Sequence, residues 1–153
     1  MGFSADLAKE AANITKANET VVRRAAIALF SRVSIGTPVG NPSLWKYPAP
    51  PGYTGGTARA NWFPSTSSPV TTIDLSARDE GSKTAESIAS FVQSASYTGT
   101  FRITNNVPYI ERLEDGWSTQ AAPGAMVKLN VLWMEQNLKK LSEQVYREYG
   151  IKP

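Results

Sequence analysis

The run "FSADLAKEAANITKANETVVRRAAIALFSRV", Phe3 to Val33, decides how the rest of the chain must be arranged. Phe3, Leu7, Ala11, Ile14, Val22, Ala25, Leu29 and Val33 recur at helical spacing, and Asn18 fills one polar gap in the stripe. That periodicity predicts a single amphipathic helix. Its many alanines favour helix, and Glu19 and Arg23 stand one turn apart on the exposed side. Gly36-Thr37-Pro38 ends it. About 30 residues at 1.5 Å each span roughly 45 Å. A compact chain of this length has a radius of gyration of only about 15 Å. The helix must therefore bend, or project to meet another subunit.

The next segment, "GTPVGNPSLWKYPAPPGYTGG" (36–56), is too rich in Pro and Gly for a helix or a central strand. It reads as a long loop, and long loops in compact domains serve function or motion. Trp45, Tyr47 and Tyr53 make it a candidate contact surface; the alternative is that the rings pin the loop to its own domain. "TARANWFPSTSS" reads as a turn into a strand, and "TTIDLSA" as a short strand or extended link. "SKTAESIASFVQSA" predicts a second helix through Ala85, Ile88, Ala89 and Val92, started by Gly81 and Ser82. In "YTGTFRITN", Phe101 and Ile103 alternate with Thr100, Arg102 and Thr104, the pattern of a half-buried strand. From about Ala125 to Tyr149, Val127, Val131, Met134, Leu138, Leu141 and Val145 predict a last helix, stopped by Gly150. No repeat or internal boundary appears. The expectation is one α+β domain over 1–153: a small, mostly antiparallel sheet packed with long first and last helices and a middle helix.

Composition removes whole classes of chemistry. Of 153 residues, 41% are apolar and 19% charged, which is globular rather than disordered composition. There is no Cys and no His, so disulfides, thiol nucleophiles, the usual zinc ligands and the commonest general base are excluded. No apolar run approaches the roughly 20 residues of a membrane span. The first residues lack a signal peptide's basic start and apolar stretch. The absence of Cys is compatible with assembly in a reducing cytoplasm, and no membrane contact is expected. A net charge of +3 is too small for a dedicated nucleic-acid footprint.

The acidic clusters are Asp79-Glu80 and Glu111, Glu114, Asp115. Two carboxylates can serve a hydrolase, but Glu111, Arg112, Glu114 and Asp115 read better as the solvated face of a short helical turn. No Gly-x-Ser-x-Gly elbow occurs, and nothing points to a Ser–Lys dyad. "TGGTAR" (54–59) lacks the spacing and lysine of a phosphate loop. Arg23, Arg24, Arg32 and Arg59 could contact phosphates, but they are few and interleaved with acids. Trp133 could serve as core or as contact. Four Trp and six Tyr leave an interaction protein as the remaining reading.

Thr37-Pro38-Val39, Thr54-Gly55, Arg59 and Asn61-Trp62, followed by "ITNNVPYIERLEDGWS" and "APGAMV", resemble the small neck proteins of long-tailed bacteriophages. These are tail-completion or head–tail joining proteins with the patterns TPV-D-TG-x-L/A-R-x-N-W and I-x-N-x-x-P-Y-A-x-x-L-E-x-G-x-S-x-Q-A-P-x-G-M. The likeness covers residues 3 to 148 and is most specific from Ile103 through Met126. This chain departs from it by inserting most of Gly40 to Tyr53 and by carrying Gly40 where the family has Asp.

The resemblance implies a virion protein without catalytic, cofactor or metal residues. It implies a hexameric ring in the neck, between a head connector or stopper protein and the tail tube protein. Genomic DNA would pass through the lumen unread. A tail-terminator ring, or less favoured a basic nucleic-acid-binding module, is the alternative. Interface candidates are Trp45, Tyr47, Tyr53, Arg59, Asn61, Trp62, Tyr109, Arg112 and Trp117. Within the second pattern, Asn105 and Asn106 are expected to satisfy turn backbone and Pro108 to stop the strand. Tyr109, Ile110 and Leu113 should pack inward, Glu111, Arg112 and Glu114 face out, Gly116 end the turn, and Pro123-Gly124 launch the last helix. Trp117 is left for a neighbour.

Overall fold

A computed structural model describes residues 2–44, 46–49 and 51–152. The chain is α+β. Helix α1 spans Phe3–Gly36, α2 Thr57–Ala60, α3 Lys83–Ser94, α4 Ile110–Glu114 and α5 Lys128–Glu148, with a 3-10 turn at Pro42–Leu44. Strands β1 (Phe63–Ser65) and β2 (Arg102–Thr104) pair antiparallel, with Phe63 opposite Thr104 and Ser65 opposite Arg102.

Helix α1 is the axis of the fold, and α3 and α5 both pack along it. Being gripped from two sides moves its buried line one residue off the expected stripe. Ala26, Phe30 and Val33 are buried, while Val22, Ala25 and Leu29 are half-buried. The core gathers Ala26, Phe30 and Val33 with Trp62, Ile88 and Val92, flanked by Phe101, Ile103 and Ile110. Burying a large apolar side chain contributes about 1.5–3 kcal/mol relative to exposure, so this cluster is the main source of stability.

The helix does project. Asn13 Nδ2 donates to the Tyr149 carbonyl at 3.0 Å, and Thr20 and Tyr149 hydroxyls meet at 2.8 Å, so the end of α5 reaches α1 only as far as Asn13. Before that point Phe3, Leu7 and Ala11 stay exposed, as does Ile14 just after it. The α5 stripe is also only partly covered. Met134 and Val145 are buried together with Asn130, whereas Val131 and Leu138 face out.

One connection differs from expectation: "TARA" is a short helix, not a turn leading straight into the strand. Of the two readings of "TTIDLSA", it is the link and not a strand. The start of α3 depends on Asp79, not on a Ser82 side-chain cap. Asp79 Oδ1 accepts Gly81 N–H and Oδ2 accepts Thr84 N–H, both at 2.8 Å. Burial pushes Asp79 upward, but these hydrogen bonds and the nearby Arg59 charge outweigh it and hold the carboxyl below its ordinary value.

Candidate partner-docking cleft

The interface candidates separate into two sets. The first is internal. Thr37, at the end of α1, is fully buried; its hydroxyl donates to the Val33 carbonyl at 2.9 Å and accepts Trp62 Nε1–H at 2.8 Å. Its own carbonyl accepts from Arg59 Nε at 3.0 Å, and Arg59 Nη1 also donates to the Gly81 carbonyl at 3.1 Å. Asn61, likewise fully buried, donates to the Thr57 and Asp74 carbonyls and accepts Asp74 N–H, all within 2.8 Å. Asn105 donates to the Ala58 carbonyl at 2.7 Å and accepts Val107 N–H at 3.1 Å. Asn61 and Trp62 are therefore buried within the chain, and Arg59 is half-buried with its Nε and Nη1 engaged. Their side chains close the junction between α1, α2 and β2 because buried backbone groups there need partners.

The Pro- and Gly-rich loop leaves and returns at one point. A Cβ on Gly55 would stand 2.5 Å from the Gly40 carbonyl oxygen, so the two backbones touch where no side chain fits. Gln120 clamps the same place, donating to the Val39 carbonyl at 3.2 Å and accepting Asn41 N–H at 3.0 Å. The two ends of the loop are thereby held together at its base.

The second set surrounds an open cleft of about 680 Å³. The loop supplies Leu44, Tyr47 and Pro48 to its lining, which also includes Ala58, Tyr109, Leu113 and Trp117. Tyr53 also lines it. Tyr47 is 72% exposed and Trp117 74%. Arg112 lies over the Trp117 ring, 5.3 Å from its centre. Burial raises the phenols of Tyr53 and Tyr109 above their ordinary value, with Arg78 pulling both back down. Trp45 lies outside the described residues. Tyr109 is more open than expected, since its ring walls this cleft instead of entering the core. Ile110 does pack on the core.

The corner itself is held by Glu114, which was expected to face solvent. Its carboxylate accepts the N–H groups of Met126, Val127 and Lys128 at 2.9–3.2 Å, taking the place of an N-cap for α5. That is why α5 starts at Lys128 rather than at Ala125. Gly116 has φ +78°, and a Cβ there would stand 2.5 Å from Pro123 Cγ. Glu114→Ala should cost about 2 kcal/mol in a denaturant melt, whereas Glu114→Gln should keep part of that. Equal losses in both variants would mean that charge, not hydrogen bonding, holds the corner.

The cations considered for phosphate contact are engaged within the chain. Arg23 binds Glu19 at 2.6 Å and lies near the Phe101 ring. Arg24 forms a two-pronged pair with Glu148 at 2.7 and 2.9 Å. Arg32 donates to Asn130 and lies 4.0 Å from the Trp133 ring centre, which makes Trp133 an intramolecular contact. Among the described residues, no helix is long and apolar enough to cross a membrane, and no group of three or more carboxylates could hold a metal ion.

Glu114 and Gln120 stand in the second sequence pattern, at its Glu and Gln, but the pattern did not reveal what they do. Both act across a dozen or more positions, Glu114 on the start of α5 and Gln120 on Val39 and Asn41. No protein-family model, curated protein or solved structure matches the chain.

Proposed function

We propose that the chain is a non-enzymatic structural protein of the virion, forming a hexameric ring in the neck of a long-tailed phage. In this reading it completes the tail and joins it to the head connector, with genomic DNA passing through the lumen without specific binding. The resemblance of the two sequence patterns suggests it. The observation that carries it is the division of labour among the motif residues. Asn61, Trp62 and Asn105 are consumed in folding, while Tyr47, Tyr109 and Trp117 remain on an open aromatic cleft. Exposed aromatic clusters of this kind serve as anchors in protein interfaces.

A tail-terminator ring would use the same features and differs only in the neighbour below. The nucleic-acid reading is less favoured, because Arg23, Arg24, Arg32 and Arg59 already have partners in the chain.

Trp117→Ala tests the assignment. Its ring is exposed, so the melting temperature should move by no more than the roughly 2–4 °C that 1 kcal/mol causes at this size. Loss of an interface anchor worth about 1.4–3 kcal/mol should weaken binding to purified tails, or self-assembly, roughly tenfold or more. A wild-type chain that stays monomeric and binds neither tails nor connector would refute the neck role. A Trp117→Ala chain that unfolds would show the ring to be core.

A further inference from the structure

The exposed first turns of α1 and the aromatic cleft lie at opposite ends of one rigid element. Phe3 is 85% exposed, Leu7 57% and Ile14 40%, and these three fall on one helical face. Residues 3–12 run past the last support from α5 at Asn13, an overhang of about 15 Å. The cleft is lined by Pro38 and Gly40, just beyond the other end of the helix. A helix of 34 residues is about 51 Å long, so the overhang cannot reach the cleft of its own chain.

The charges of the two surfaces are opposite. Asp6 and Glu10 border the Phe3–Leu7 line, while Lys9 points roughly 120° away from Phe3 around the helix. Among the described residues, the cleft lining holds Lys46 and no acid. Arg112 stands on the Trp117 ring at its edge, and Arg78 Nε donates to Thr54 at 3.0 Å beside Tyr53.

We infer that the first turns of α1 from one copy seat in the cleft of the next copy, head to tail. Phe3 and Leu7 enter between Tyr47, Tyr109 and Trp117, and Asp6 and Glu10 face Lys46 and Arg112. This is helix-in-groove recognition, with anchors one turn apart on one face. The contact joins two different patches, so it propagates from subunit to subunit and closes into a ring when the rotation permits. The inference rests on the ring reading and specifies its interface.

Half-site complementation of the full chain tests it. Phe3→Glu with Leu7→Glu disables the helix end, and Lys46→Glu with Trp117→Ala disables the cleft. All four positions are exposed, so both variants should keep the wild-type circular dichroism and melting temperature. In sedimentation velocity the wild type should assemble. Each double variant alone should self-associate roughly a hundredfold more weakly. An equimolar mixture should form a one-to-one dimer and nothing larger, because a single intact pair remains. Wild-type-like assembly of the Phe3/Leu7 variant, or a mixture that stays monomeric, overturns the docking and leaves the ring reading standing. A wild type monomeric at every concentration also overturns it, and tail binding then decides the neck reading separately.

Discussion

Trp62→Ala should lower the unfolding free energy by about 3–5 kcal/mol and the melting temperature by roughly 6–20 °C at this chain length. The ring sits in the core with Phe30, Val33 and Ile88, and its N–H reaches the buried Thr37 hydroxyl at 2.8 Å. Alanine would leave a cavity among side chains that α1, α3 and the sheet hold in place, so the site can collapse only in part. Trp62→Phe fills most of the space and removes only the hydrogen bond, so it should cost about 1–3 kcal/mol. Calorimetry of the two variants checks the order. A Trp62→Ala chain that melts like the wild type but no longer assembles would return Trp62 to the interface, where the motif resemblance had put it.

Asn61→Asp should be comparably severe at neutral pH, about 3–5 kcal/mol. The amide donates to the Thr57 and Asp74 carbonyls, both at 2.8 Å, from a fully buried position. A carboxylate there would aim an unpaired negative oxygen at two carbonyl oxygens. Burial and those carbonyls would raise the introduced carboxyl's folded-state pKa above its unfolded value of about 3.9. Such a group favours folding only while protonated. The variant's deficit against wild type should therefore shrink as pH falls through the raised value and grow again as pH rises. Denaturant melts of both chains at pH 4 and pH 7 check this. A deficit independent of pH would mean that the amide is not buried as described.

These two residues also show how far local pattern reaches. Helical periodicity found α1, α3 and α5, because each must hide an apolar line. It missed the one-residue shift of the buried line in α1, since α3 and α5 press on it from both sides, and a single-face stripe assumes one partner. It could not separate Trp62 from Trp117. Both are tryptophans beside turn residues, and only the packing of one of them against the end of α1, where Thr37 accepts its N–H, encloses it. Glu114 and Asp115 are adjacent in sequence and alike in charge, yet the carboxylate of Glu114 caps a helix that begins at Lys128. The aromatic loop was legible as a contact candidate, and two of its expected companions, Tyr109 and Trp117, line one cleft with it. Its closed base was not, because Gly55 and Gly40 meet only in three dimensions.

The proposed ring of identical subunits is open to direct imaging. Cryo-electron microscopy of the purified chain, alone and mixed with purified tails, should show closed rings with an open lumen, also seated on the upper end of the tail, with the first turns of α1 crossing into the neighbouring subunit. Single particles of one subunit, together with bare tail ends after mixing, would contradict it.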